Sequence, residues 1–511
     1  MHDAAIQLIQ GARFPGSSTV TDVWIGGDGV ISALTPAGAL TELDGVSAAS
    51  ARTLRADGRV LTSGLWDEHV HLGQWAQQSS RPDFVTADSP AAALELAAGY
   101  LAPDLSGSAP TELIGMRVRG GDWGGLSREQ LDSVSSRVPI VLVGLDLHGA
   151  WLNSAALAKY GFSPDHSAHV VEDECFGLVA ELDRTTDEAL DAAVDLAARR
   201  AAALGVVGVV DFEIRWSFDD WTRRELGGFR ALRVESAIYP EHLDRAIDCG
   251  LGSGSPIGTN GLVSVGPLKV ITDGSLGTRT ALCCEPYAGG GHGREVVAPA
   301  ELSSLLARAK RAGYWAAVHA IGDRANAQAL DAFGATGAVG RIEHAQLLRS
   351  SDIARFAALG VGASVQPAHL IDDVPSMRAE WADRADRAFP LASLLASGAN
   401  VVLGSDAPVA PLDPWHAIAA AVTRASAGSP AWVPEERISV AAALACSMRG
   451  PLAPGVGDHA DLVLLDSDPL TAALPIGPAG FRPPGVAATL LGGVPTHLTA
   501  DLAHTATGEL A

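Results

Sequence analysis

Residues 59–72 read RVLTSGLWDEHVHL, an apolar run that ends on a His-x-His pair, His69 and His71, with Val70 between them. In an extended strand alternate side chains share a face, so the two imidazoles point the same way while Val70 faces the layer behind. Two imidazoles at one point can chelate one ion. Imidazole and carboxylate oxygen suit zinc or a similar divalent transition metal, whereas calcium or magnesium prefers an all-oxygen shell. Four further residues of ligand type follow in chain order, Lys269, His319, His344 and Asp406. The set reads as the site of a metal-dependent hydrolase.

Seven more strand-like runs follow that first one: GVVGVVDFE (205–213), LRVESAIY (232–239), VSVGPLKVITD (263–273), YWAAVHA (314–320), RIEHAQ (341–346), VGASVQP (361–367) and NVVLGSD (400–406). Ala-rich helical stretches such as 300–313 and 325–334 separate several of them. Near-continuous apolar strands alternating with helices imply a parallel sheet, and eight such units imply an α/β fold of the (β/α)8 TIM-barrel type. Every proposed ligand falls at or near the C-terminal end of a strand, the face on which such barrels carry their active sites. The interval 74–205 is too long for one βα unit. It contains the strands TELIGMRV (111–118) and PIVLVGLD (139–146) and is expected to be an inserted subdomain covering the barrel mouth.

Both chain ends look different from the middle. Residues 4–14 and 22–36 are short apolar runs, the second broken by Gly-Gly-Asp-Gly at 26–29, a hairpin signal, and residues 459–469 and 486–498 repeat that character. The expected organisation is one small β-sandwich built from residues 1–56 and 453–511 around a barrel over 57–452, since chain ends commonly lie close together.

A chain of 511 residues can bury a large core. Its formal charge of −23, from 59 acidic against 36 basic residues, argues against nucleic acid or an anionic membrane as partner. A small-molecule substrate is expected instead, with a homodimer left open. The first sixteen residues lack a basic start and a continuous apolar segment, and no later stretch reaches the ~18 apolar residues of a membrane span, so a cytoplasmic protein is expected. Cys175, Cys249, Cys283, Cys284 and Cys446 show no C-x-x-C spacing and fit reduced thiols.

With these motifs in view the sequence resembles the amidohydrolase superfamily, and within it amidohydrolase family 3, the YtcJ-like group that includes N-substituted formamide deformylases. SGLWDEHVHL (63–72) is similar to that family's PGFIDxHxH, LKVITDGSLGTRTA (268–281) to its K-x-x-x-DGSLGSRTA, VHAIGDRAN (318–326) to HAIGDxA, RIEH (341–344) to RIEH, and GSDAPV (404–409) to GSDxPV. The departures, Ser63 for Pro and Trp66 for Ile, remove no ligand.

Carried over, the resemblance implies His69 and His71 on a first metal, His319 and His344 on a second, Lys269 between them and Asp406 beside the bound water. A neutral lysine amine can add carbon dioxide to form a carbamate, which turns a cation into a bridging oxygen ligand. Two Zn2+ bridged by carboxylated Lys269 is therefore the leading expectation. The alternative is an uncarboxylated Lys269 paired with Asp273 or another acid, leaving one metal on His69, His71, His319 and Asp406 with His344 in a hydrogen-bonding role. A metal-bound hydroxide would attack a carbonyl, with Asp406 as general base and then general acid to the leaving nitrogen. The bond at stake is the C–N bond of an amide, N-substituted formamide or cyclic amide. Ester or lactone hydrolysis on the same centre is the second reading, and a non-catalytic metal scaffold the third.

Candidate substrate contacts lie outside this set. LDLHGAWLNSAAL (145–157) resembles the family's DGHxxWxNSxAL and puts forward His148, Trp151 and Asn153. Trp75, Trp123 and Trp151 could form an aromatic wall or simply join the subdomain to the barrel. Arg279 and His369 lie just past strand ends, where either could bind a substrate oxygen or cap a loop.

Overall fold

The computed structural model describes residues 5–506 apart from 44, 80, 103–109, 146, 427 and 472–482. Eight parallel strands, with the short strand Pro256–Ile257 added antiparallel to the fourth, form its largest sheet: β1 (Leu65–Val70), β2 (Val206–Asp211), β3 (Arg233–Ile238), β4 (Val263–Ile271), β5 (Ala316–Ala320), β6 (Gly340–His344), β7 (Gly362–Val365) and β8 (Val401–Leu403). Their spatial order is their chain order. Just past β8 the Asp406 N–H donates to His69 O at 2.7 Å and the His71 N–H to Ala407 O at 2.8 Å, which brings the sheet round onto β1. The barrel expected from the eight apolar runs is thus present. Its strands are covered on both faces, which is why β2 could be a run of valines with every residue buried.

The opening run is two strands rather than one. Val60–Ser63 pairs antiparallel with Leu462–Leu465, and the chain turns at Gly64 into β1. A Cβ on Gly64 would lie 2.2 Å from Val207 Cγ1, so only glycine lets the chain pass β2 so closely.

Val60–Ser63, Leu462–Leu465, Val486–Leu491 and Val494–Leu498 make one sheet of a terminal sandwich. Leu8–Ala12, Thr21–Ile25, Ile31–Pro36 and Thr53–Arg55 make the other. Ile9, Val23, Leu54, Leu462 and Leu490 fill the layer between them. Both chain ends therefore contribute to one small core.

After β1 the helix Leu72–Gln78 leads away from the barrel, and the helix Asp187–Ala202 leads back to it; both pack on the barrel core through residues such as Leu72, Ala76 and Val194. Between them stands a separate sheet of Leu113–Val118, Ile140–Gly144, Gly149–Leu152 and His169–Val171. It has apolar clusters of its own, one around Val141 and Leu152 and one around Phe84 and Leu142. This subdomain reaches the C-terminal rim of the barrel. Arg119 Nη2 lies 2.5 Å from Asp372 Oδ1 in the helix Pro367–Glu380 that follows β7. No helix among the described residues is long and apolar enough to cross a membrane.

Candidate metal centre

Five imidazoles and two ionisable chains converge at the C-terminal ends of the strands. His69 at the end of β1 is 1% exposed. Its Nδ1 lies 2.8 Å from Glu343 Oε2, while Nε2 faces Lys269 Nζ at 3.1 Å and Asp406 Oδ1 at 3.4 Å. His71 Nε2 is 3.5 Å from the same Asp406 oxygen. The His344 ring stands 5.1 Å from that of His69 and 4.5 Å from that of His319. Ligand atoms of His69, His344 and Asp406 all lie within 4.8 Å of one another. Val70 between the two histidines is fully buried in the barrel–helix layer, as the strand alternation requires.

Two of the converging residues break the regular backbone. On β6 alternation sends Arg341 and Glu343 to one side and Ile342 to the other, so His344 would follow Ile342. Left-handed backbone at His344 (φ 72°) and Ala345 (φ 45°) interrupts that alternation, and Asp406 is also left-handed at φ 57°. Such conformations cost about 1 kcal/mol or more for residues with a Cβ, and they concentrate where function over-determines the backbone.

Burial sets the protonation states. It pushes His69 down to about 4 and His319 to about 3, in both cases helped by the Lys269 charge, and it holds His344 well below the usual imidazole range. These rings are therefore neutral at pH 7, the form that donates a lone pair to a metal. Burial likewise brings Lys269 from its ordinary value down to about 8, despite the nearby carboxylates of Glu343 and Asp406. For Asp406 burial opposes ionisation, but His69, His71 and His344 outweigh it and hold the carboxyl well below its ordinary value.

The donor set fits a divalent transition metal. His71 Nδ1 and His344 Nδ1 are buried ring nitrogens without a hydrogen-bond partner among the described residues, a state that is costly unless something else engages these rings. Lys269 faces His69 and, at 4.1 Å, the Phe212 ring. Its alternative partner Asp273 is committed elsewhere: it accepts the N–H groups of Leu282, Ile321 and Gly322 at 2.8, 3.1 and 2.9 Å, with His319 Nε2 at 3.4 Å. The Lys269–Asp273 pairing is thus replaced by a Lys269–His69 contact.

Of the expected substrate contacts, His369 joins the cluster, with Nε2 3.7 Å from Asp406 Oδ2. Asn153 does not. It caps the helix Ser154–Lys159, accepts from Ile140 and Ala156 N–H, and donates to Ser135 and Val138 carbonyls. With its hydrogen-bonding capacity used inside the subdomain, its expected place in a pocket is corrected to a structural one. Trp151 is corrected likewise: it is 5% exposed, stacked on His169 at 4.7 Å and pressed against Gly120 and Gly125. Trp123 stacks on Trp151 at 6.4 Å, and Trp75 packs on the barrel core. His148 bonds Glu172 at 3.2 Å within the subdomain, and Arg279 in the loop after β4 pairs at 2.8 Å with Glu380, at the end of the helix after β7.

The sequence reading passed over Glu343, Arg341 and Glu68. The signal was present in DEHVH and RIEH, where charges stand inside strands that must be buried, and a buried charge demands a partner.

A sequence profile described as the amidohydrolase family matches residues 52–497. The protein LONG AFTER FAR-RED 3 of Arabidopsis thaliana is 30% identical over 453 residues, 80% of this chain and 76% of that protein. An N-substituted formamide deformylase of Arthrobacter pascens is 24% identical over 493 residues, 85% of this chain and 89% of that one. Among solved structures, an uncharacterised metal-dependent hydrolase from Pyrococcus furiosus superposes with a TM-score of 0.70 at 26% identity, covering 91% of this chain and 99% of its own.

Proposed function

Because the chain belongs to the amidohydrolase family and is a metal-dependent hydrolase, we propose that it hydrolyses a carbon–nitrogen bond in an amide, an N-substituted formamide or a cyclic amide. One observation carries this reading: His69, His344 and Asp406 present ligand atoms within 4.8 Å of one another at the mouth of the barrel. Beside them stands a buried Lys269 amine, 3.1 Å from His69 Nε2. His69, His71, His319, His344 and Asp406 would hold the metal, taken as two zinc ions with a carboxylated Lys269 between them. Divalent ions bound there would lower the pKa of water towards ~7 and polarise a carbonyl oxygen.

The remaining steps belong to the chain's own residues. Asp406, ionised and surrounded by imidazoles, takes the proton of the attacking water and returns it to the leaving nitrogen, acting as base and then acid. His369, beside Asp406, would donate to a substrate oxygen. Burial of Lys269 favours its neutral amine, the form that adds carbon dioxide. The relation to a formamide deformylase of similar length favours nitrogen over oxygen as the leaving atom.

The test is a panel of amides, formamides and matched activated esters, assayed with and without a chelator, alongside metal analysis. Amide turnover that disappears on chelation and returns with zinc supports the proposal. Ester turnover with no amide turnover replaces it by the lactone or ester reading.

A further inference from the structure

Beneath the candidate metal centre the barrel interior carries a line of alternating charge. Glu343 Oε2 lies 2.8 Å from His69 Nδ1, and its Oε1 accepts from Arg341 Nε at 2.6 Å. Arg341 Nη1 reaches Glu68 Oε2 at 2.7 Å, and Arg449 donates to both Glu68 oxygens at 2.7 and 2.9 Å. Arg449 also bonds Glu235 on β3. Glu343 is fully buried, Glu68 is 3% exposed and Arg341 8%.

Stability does not account for such a line. Barrel interiors are ordinarily filled with Val, Ile and Leu, and a buried ion pair is commonly no more stabilising than apolar side chains of the same volume. What apolar filling could not provide is a fixed acceptor at His69 Nδ1.

We infer that Glu343 is a positioning residue for His69, locked in place by Arg341 and Glu68. Its carboxylate accepts the Nδ1–H and so selects the tautomer whose lone pair is on Nε2, the nitrogen that faces Lys269 and Asp406. A carboxylate behind a ligating imidazole fixes ring orientation and raises ligand basicity. Arg341 binds the other carboxylate oxygen and prevents Glu343 from turning away. The inference rests on the metal-centre reading above.

The test uses the full chain, with Zn2+ alone titrated against a chromophoric chelator and the unfolding midpoint of the metal-free protein measured in parallel. Glu343→Leu combined with Arg341→Met removes both charges and leaves Glu68 paired with Arg449. It is expected to weaken zinc binding about 10- to 100-fold with a metal-free unfolding midpoint close to the parent's. Glu343→Gln, whose amide oxygen still accepts the Nδ1–H, is expected to lose less, a grading that mere packing would not produce. Parent zinc affinity in either variant overturns the inference, and so does an equal loss in both. If the double replacement does not fold, Glu343→Gln decides alone: weakened zinc binding supports the inference and unchanged binding overturns it. Failure of the underlying reading looks different, since then the parent protein takes up no zinc or His69→Ala binds it unchanged, and both conclusions fall.

Discussion

Asp406 and Lys269 share one cluster, yet their surroundings suit them to different tasks. Asp406 is ionised against its own burial by the imidazoles around it, whereas Lys269 is 2% exposed and pushed towards neutrality. Asp406→Asn keeps the size of the side chain and the histidine donors, so at least one zinc ion should remain by metal analysis. Turnover should fall on the order of 10²-fold or more, the usual size of a lost general acid–base contribution. Steady-state rates on an amide and a matched activated ester should show the larger loss on the amide, because an alkoxide leaves without needing its proton; equal losses would remove Asp406 as acid. Lys269→Ala should instead lower zinc content and activity together, with partial return in bicarbonate plus a small carboxylate, and a variant with two ions and parental turnover would remove the bridging carbamate. These proposed ligands could be read from the sequence because each sits in or just past an apolar run, at or near its C-terminal end, where a polar residue has few structural reasons to be. Their supports could not. Glu343 finds His69 across 274 positions of chain, and Arg341 finds Glu68 across 273, distances over which one sequence gives no pairing signal.

The eight barrel strands were legible for a simple reason. Buried on both faces, they are continuous apolar runs, and the helices between them change the period of the pattern. What the pattern could not reveal was the break at Gly64, since Val60–Ser63 and β1 are both buried throughout and read as one strand. Gly64→Ala should destabilise the fold by about 1–3 kcal/mol through overlap with Val207, and pairing it with Val207→Ala should recover part of the loss in a chemical denaturation series. A second element-level contact lies outside the barrel. Asp191, in the helix Asp187–Ala202, bonds Arg223 at 2.7 and 3.1 Å and Arg224 at 2.8 Å in the helix Phe218–Leu226. Burial opposes ionisation of Asp191, but the two guanidinium groups outweigh it and lower its carboxyl from the ordinary value. The native carboxylate therefore binds its proton more weakly than the unfolded one. Its contribution is fully present above the unfolded pKa near ~3.9 and is lost as pH falls through the native value. Asp191→Asn should lower stability by about 1–3 kcal/mol at pH 7. The gap in unfolding free energy between parent and variant should narrow as pH drops below ~4; a gap independent of pH would show that the charge does not matter.

At the scale of the whole molecule the two chain ends are one structural unit, and that unit is joined to the barrel by more than a linker. Alternating residues at both ends announced the sandwich, but its seam with the barrel depends on contacts no local pattern encodes. Thr489 Oγ1 donates to Ala202 O at 2.7 Å, Arg233 at the start of β3 holds Asp461 at 2.6 Å, and Gly64 N–H, at the turn into β1, donates to Asp461 O at 2.8 Å. Removing residues 486–511 would take Ala487, Ala488, Leu490 and Leu502 out of the sandwich core and leave Leu462–Leu465 as an open edge beside the exposed layer. An edge strand over uncovered apolar surface pairs with other copies of itself, so the shortened chain should aggregate on expression, although every proposed metal ligand is still present. Soluble yield, the near-ultraviolet circular dichroism signal and zinc uptake of the shortened chain, compared with the full one, check this. A soluble truncated protein with parental tertiary signal and zinc binding would mean that the barrel holds its own mouth in shape and that the sandwich is an appendage. Loss of all three would mean that the first barrel strand, which leaves the sandwich at Gly64 and then delivers His69 and His71, is positioned from its start by the sheet that Val486–Leu491 and Val494–Leu498 complete.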